Sequence, residues 1–527
     1  MTNSLPRRRM LAFGTGALAA GLTGCVDTKS EAPTRSATRT AKYVQPHDAV
    51  VEETEKRRYH SGARPVTYEL VAGPEKFDVA GRTAATWGYA SLPGTRELRA
   101  NAGDTLSVRL VNSLPEPTTV HWHGIRIRND MDGAAPVTQP AVEPGKEFTY
   151  TFDVADPGTY WYHSHVGLQT DRGLYGPLVV EDPDDRSGVA TDQVIVIDDW
   201  LDGLGATPDE VLRVLNPNLG GGSMAGMHMG SAAPSGSATP AADHAVSAAA
   251  RALVPSKPMS SAALGGVTGE VAHPVHLING RPPADRQTVR VRSGSRVRLR
   301  IVNAAADTAY RFAVAGHRMT VTHTDGYPVV PFETDTLIIG MAERYDVLVT
   351  PRPGAWPVVA KAEGKPGHAA ALLRTTDSRA TRAPGPQSLP RELDRRMLHY
   401  TDLTPLDSAR LKNRAPDRSY SVDLIGAMER FVWGVAGRDA AHLTMSRGQR
   451  VRIAMTNRTA MWHPMHLHGH TFAVGGAHGI RKDTVQVLPG ETVSVDFDAD
   501  NPGAWMLHCH NAYHMEAGMT ANINYTV

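Results

Sequence analysis

One phrase recurs three times in this chain and limits the fold more than any other feature. A glycine is followed three positions on by an apolar residue, then by alternation, and nine positions after the glycine by an asparagine. The copies are Gly103, Leu106 and Asn112; Gly294, Val297 and Asn303; Gly448, Val451 and Asn457. Alternation marks a half-buried strand, because successive side chains leave a strand on opposite faces. Residues 105–111, 149–154, 297–302, 345–350, 451–455 and 492–497 share that period, and no long helical stripe competes with them. The repeat predicts an all-β chain of three Greek-key β-sandwiches at 43–188, 189–375 and 393–527, joined across an Arg, Pro and Ser-rich link at 376–392. A length of 527 residues accommodates that many cores.

Residues 1–24 read apart from the fold. Arg7, Arg8 and Arg9 precede a short, weakly apolar run that ends in Leu22-Thr23-Gly24-Cys25, the order of a basic region, an apolar region and a processing site. The run is too short and too rich in glycine to span a membrane. Its paired arginines resemble a twin-arginine export signal for folded proteins, and its last four residues resemble a lipoprotein box, whose cysteine is acylated. The expectation is an exported protein, held on the outer face of the cytoplasmic membrane by lipidated Cys25 or else secreted, with residues 25–42 as a flexible tether. Residues 219–262, mostly Gly, Ala, Ser and Met, read as a mobile insertion in which 245–253 could form a turn or two of helix. With 55 Lys plus Arg against 54 Asp plus Glu there is no basic excess to hold a nucleic acid, and no obligate protein partner is expected. Two cysteines with separate uses, Cys25 and Cys509, exclude a disulfide scaffold.

The chemistry lies in four histidine clusters. His121-Trp122-His123, His163-Ser164-His165, His466-Leu467-His468 and His508-Cys509-His510 all read His-x-His, and on a strand residues i and i+2 share a face. One such pair is a common surface feature; four of them, confined to the first and third domains, point to a metal cluster. Alternation separates a second site, because the Cys509 thiol points opposite to its neighbours, where His463, His514 and Met519 can join it. A thiolate, two imidazoles and a weak thioether form the soft mixed set that suits a blue, type 1 copper, whereas a thiolate zinc site needs more cysteines. In the second domain His273, His276, His317 and His323 are irregularly spaced and read as ordinary polar or interface residues. Asp325-Gly326 and Asn279-Gly280 read as turns.

On these motifs the chain resembles the three-domain multicopper oxidases, of the bacterial laccase-like group, along essentially its whole length after the leader. The resemblance implies cupredoxin-like domains and four copper ions. It places a type 1 copper on Cys509, His463, His514 and axial Met519, and a type 2 copper on His121 and His466. The type 3 pair would take His123, His163 and His510 on one ion and His165, His468 and His508 on the other. Dioxygen would be reduced to water at the three-copper cluster, with electrons drawn from phenols or aromatic amines at the type 1 site. Cys509 is covalently continuous with His508 and His510, which makes the route between the sites short. Asp132, before Gly133, corresponds to an acid that hydrogen-bonds cluster water and assists proton delivery. Some bacterial relatives carry a second acid directly after the second type 1 histidine; Met515 stands there, with Glu516 one position on, so no proton route is implied on that side.

A second donor, Cu(I), is suggested by Met224, Met227, His228 and Met229 in the insertion, since thioethers and imidazole suit that soft ion. The enzyme would then be a cuprous oxidase serving copper tolerance. A two-domain copper nitrite reductase disagrees with the length and the eight paired histidines, and a non-catalytic electron carrier would need the type 1 set alone.

Overall fold

In a computed structural model of the chain, the described residues are 42–58, 63–79, 81–219, 246–377 and 382–527. The expected leader with Cys25, and Met224, Met227, His228 and Met229, lie outside them. The architecture is all-β, with short helices at loops.

All three copies of the repeated phrase fold alike. Gly103, Gly294 and Gly448 turn the chain at φ of 93°, 71° and 88°, with nothing near the place a Cβ would occupy, so glycine is needed there for conformation and not for space. The strands that begin there are Asp104–Asn112, Val297–Asn303 and Arg450–Asn457. Each pairs in parallel with an earlier strand, Pro65–Val79, Thr191–Trp200 or Arg418–Ala427. Each also pairs antiparallel with a later one, Glu147–Val154, Arg344–Val349 or Thr492–Asp498.

The asparagine at the end of each strand is buried and locks the loop beyond it. Its side-chain oxygen accepts from the peptide N–H two residues on, that of Leu114, Ala305 or Thr459, at 2.9 to 3.0 Å. Its amide donates to the carbonyls of Glu116 and Val142, of Thr308 and Ile339, or of Met461 and Val487, at 2.7 to 3.0 Å. These bonds tie the loop after each strand to a later segment of the same pair of sheets and satisfy the buried asparagine.

Each phrase belongs to one pair of sheets. In the first pair, a sheet of Arg82–Gly88, Pro65–Val79, Asp104–Asn112 and Glu147–Val154 lies with one of Leu98–Asn101, Tyr175–Glu181, Gly158–His163 and His121–His123. Trp122 joins the two, packing on Phe152 and Tyr150 of the opposite sheet at ring distances of 4.9 and 5.6 Å. The middle pair has two six-stranded sheets, and the last pair has sheets of six and five strands. Met397–Leu398 adds to the middle pair beside Thr336–Ile339, so that pair draws on residues past 393. Against the expectation of a mobile stretch reaching 262, residues 246–262 are packed: Ser247 caps the helix Ala248–Ala252, Ala250 is fully buried, and Met259–Ser261 pairs with Gly266–Gly269. The capping hydroxyl, buried Ala250, and Val246, Leu253 and Val254 packed against the core hold so short a helix.

Candidate metal centre

Strand pairing brings the histidines together. His121–His123 runs antiparallel to Gly158–His163 with His121 opposite His163, and His463–Leu467 runs antiparallel to Ala504–Cys509 with His466 opposite His508. Trp122 and Leu467 turn into the hydrophobic core, which sends the flanking imidazoles to the other face. Those faces meet. The ring of His121 stacks on His468 with centroids 3.9 Å apart, and that of His123 on His466 at 3.7 Å. Nε2 of His468 is 2.9 Å from Nε2 of His508, and Nε2 of His510 is 3.4 Å from Nε2 of His163. Three groups have ligand atoms within 4.8 Å of one another: His121, His123 and His466; His123, His163 and His510; His165, His468 and His508. None of these eight residues is more than 7% exposed.

The group behind each ring decides which nitrogen faces inward. Nδ1 of His121, His163, His466 and His508 donates to the carbonyls of Asp132, Ser164, Asp483 and Cys509 at 2.8 to 2.9 Å, and Nδ1 of His468 donates to the Asp132 carboxylate at 2.9 Å. Those oxygens can only accept, so Nδ1 carries the proton and Nε2 keeps a free lone pair. His123 is reversed: Nε2 donates to the Asp483 carboxylate at 3.0 Å, and Nδ1 is the inner atom. The inner nitrogens of His121, His123, His165 and His466 are buried with no hydrogen-bond partner. Burial, and after it the neighbouring imidazoles, holds His123, His163, His165, His468, His508 and His510 well below the ordinary pKa, so protons do not take up these lone pairs. Neutral imidazoles converging in a buried space are a donor set that suits copper, and the residues fit it.

Asp132 is fully buried, with one carboxylate oxygen on His468 and the other unpaired, 3.2 Å from Nδ1 of His121. It therefore touches ligands from both outer pairs of sheets. Asp483 has the matching place beside His123 and was not singled out in the sequence. Burial acts to raise it, but Arg344, at 2.5 and 2.7 Å, and His123 hold it well below the usual carboxylate range. Arg344 comes from the middle pair, and its Nε also donates to the Thr159 carbonyl of the first. Asp325 is more than a turn residue. Its φ of 47° suits the expected turn, yet its carboxylate accepts from the peptides of Arg344, Asp483 and Thr484 at 2.9 to 3.2 Å. No local pattern marks Asp483 or Arg344, because their partners are far away in the chain.

The second site forms on the other face of Ala504–Cys509. The Cys509 sulfur is 3.8 Å from Nδ1 of His463 and 3.7 Å from Nδ1 of His514, and the two nitrogens are 3.1 Å apart. Met519 is fully buried; its N–H donates to the His514 carbonyl at 2.9 Å and its carbonyl accepts from Cys509 N–H at 3.0 Å. Burial pushes the Cys509 thiol up, so a thiolate here needs a cation beside it, which a metal supplies. Trp433 stacks on His514 at 4.0 Å. Behind the rings, Nε2 of His463 meets the Thr459 hydroxyl at 2.8 Å, and Nε2 of His514 meets both carboxylate oxygens of Glu270 at 3.3 Å. Glu270 comes from the middle pair's segment of the chain and had no signal in the sequence.

His273, read as a polar or interface residue, lies fully buried between Asp199 at 3.2 Å and Asp171 at 3.7 Å. Burial would lower its pKa, but the two carboxylates outweigh that and raise it.

Three family models, each described as multicopper oxidase, match residues 73–185, 250–378 and 413–526. The chain is 43% identical over 485 residues to multicopper oxidase MmcO of Mycobacterium tuberculosis, covering 90% of each. It is 28% identical to copper resistance protein A of Pseudomonas syringae pv. tomato, over 86% of this chain and 91% of that one. A solved multi-copper oxidase from Pseudomonas thermotolerans matches with a TM-score of 0.62 and 26% identity, over 88% of this chain and all of that one.

Proposed function

The chain belongs to the multicopper oxidase family, and we propose that within it this enzyme takes its electrons from phenols or aromatic amines at the Cys509 site. It is a copper-dependent oxidoreductase of the laccase-like kind, working between an electron donor and dioxygen. Four ions, one type 1, one type 2 and two type 3, would together supply the four one-electron steps that take dioxygen to water. Cys509, His463, His514 and Met519 would hold the first; His121 and His466 the second; and His123, His163 and His510 with His165, His468 and His508 the type 3 pair.

The chain's own groups set the rest of the chemistry. Cys509 joins the two sites through the main chain to His508 and His510. Asp132 and Asp483 fix four of the rings, and the unpaired Asp132 oxygen can take and pass a proton. Glu270 carries the choice of donor. A phenol or an arylamine loses a proton with its electron, and a carboxylate touching the outer nitrogen of His514 offers a place for that proton; Cu(I) releases none.

Cu(I) remains the second reading because of where the insertion is rooted. Asn216, just before it, donates to the Phe431 carbonyl at 3.1 Å, two residues from the Trp433 that stacks on His514. Just after it, Ser247 N–H meets Glu210 at 3.3 Å. Met224, Met227, His228 and Met229 lie between those roots, and one relative is named for copper resistance. Oxygen uptake by copper-loaded protein given a methoxyphenol, an aromatic diamine or Cu(I) tests the proposal. Organic donors should be oxidised with the higher kcat/KM, and turnover with Cu(I) alone would reverse the assignment. Export and lipidation at Cys25 complete the reading: Cys25→Ala should move the protein from the membrane fraction to the soluble one.

A further inference from the structure

His514 is held from two directions, and both lead to one carboxylate of the middle pair. On the main-chain side, Asn511 caps the helix Ala512–Glu516: its oxygen accepts from the peptides of Tyr513 at 3.0 Å and His514 at 3.2 Å. The amide nitrogen of the same side chain donates to Asp307 Oδ1 at 2.5 Å. On the ring side, Nε2 of His514 meets Glu270, whose neighbour Val271 donates its N–H to Asp307 Oδ2 at 2.8 Å. The circuit closes: ring, Glu270, Val271, Asp307, Asn511, peptide of His514.

Asp307 is itself fixed. Lys365, 1% exposed, donates to Asp307 Oδ2 at 2.7 Å, to the Asp307 carbonyl at 2.5 Å and to the Val271 carbonyl at 3.0 Å. A Cβ on Gly269 would come within 2.6 Å of both Asp307 Oδ2 and Lys365 Nζ, so the backbone approaches as closely as a glycine permits. A fully bonded, buried ion pair in close contact with the main chain has no second arrangement available at low cost.

We infer that Asp307 is a positioning residue for the His514 imidazole: it sets the main chain and, through the segment that carries Glu270, the ring of His514, so the middle pair of sheets determines how that ligand meets the metal. The inference rests on His514 being a type 1 ligand. Orientation of a ligand ring by the groups behind it tunes a metal site without changing its ligand list. The residues involved come from positions 269–271, 307, 365 and 511, and no motif unites them.

Three variants test it. Asp307→Asn keeps the shape but cannot accept on both sides; Asn511→Ser keeps a capping oxygen and drops the arm to Asp307; Gly269→Ala alters no polar group and forces the ion pair aside. With copper content equal to the parent's, each should shift the energy of the blue absorption and slow anaerobic reduction by a donor roughly tenfold, the scale of one hydrogen bond to a charged group. In copper-free protein, amide exchange at Tyr513 and His514 should quicken by at least roughly tenfold in Asn511→Ser, as a loosened cap implies. Asp307→Asn combined with Asn511→Ser should be no worse than the more severe single change, because both cut one circuit. A lower melting temperature with an unmoved blue band and parental exchange would show a merely structural role and overturn the inference. Additive effects in the double variant would overturn it as well. If Asp307→Asn does not fold, Asn511→Ser decides, since it leaves the ion pair intact. If the parent shows no blue band the type 1 reading falls, and exchange in the copper-free protein still decides the clamp.

Discussion

The outer two pairs of sheets and the middle pair share one glycine, strand and asparagine device and differ in the residues just beyond it. Nine and eleven residues after the asparagine, the first pair has His121 and His123 and the last pair has His466 and His468; the middle pair has Phe312 and Val314, both fully buried in its core. The device sets a strand and a loop, and two side chains decide whether that strand binds metal or packs a core. With none of the proposed copper ligands among its described residues, the middle pair still shapes the site. Arg344 and Asp325 hold the Asp483 segment behind His123 and His466, and Glu270 stands behind His514. The outer pairs supply ligands, and the middle pair supplies groups that orient them.

The largest effect that would break this comparison is expected from Cys509→Ser. It should abolish both the blue absorption and donor oxidation while metal analysis still finds the three-ion cluster filled; an intense blue band in the variant would refute the ligand assignment. The locks come next. Replacing Asn112, Asn303 or Asn457 by Ala removes at least three hydrogen bonds of a buried side chain each time, so each should cost about 3 kcal/mol in thermal unfolding of the copper-free protein. The outer variants should also lose copper, whereas Asn303→Ala should keep its copper count and disturb the blue band; equal copper loss from all three would erase the distinction. Asp132→Asn should slow turnover by about tenfold and change its pH dependence, while reduction of the type 1 site without oxygen stays fast. Should the anaerobic step be the slow one, the acid serves the donor side instead. Met519→Leu should be the mildest, moving the type 1 potential and changing donor rates only about tenfold or less, since an axial thioether tunes the ion more than it holds it. Loss of the ion in that variant would make Met519 a principal ligand.

The legible part of the sequence was its short-range periodicity. Two residues on a strand face one way, so His-x-His and Cys509 between two histidines already separate the clusters into opposite faces. The repeated asparagine was legible as a pattern, though its hydrogen bonds were not. The groups behind the rings could not be read, because the contacts that make them matter span the chain: Asp483 lies 360 residues from His123, and Glu270 lies 244 from His514. Asp325 shows the limit well. Its Asp-Gly dipeptide predicts a turn and a turn forms, but the carboxylate's grip on the Asp483 peptide crosses 158 residues that no local rule connects.

The cluster is assembled from both ends of the chain: His163 and His510, whose inner nitrogens face each other, are 347 residues apart. A ribosome therefore finishes the first half of the ligands long before the second half exists. Full coordination waits for the strand Ala504–Cys509 to join its sheet, which makes closure of the last pair of sheets the event that commits the protein to its metal.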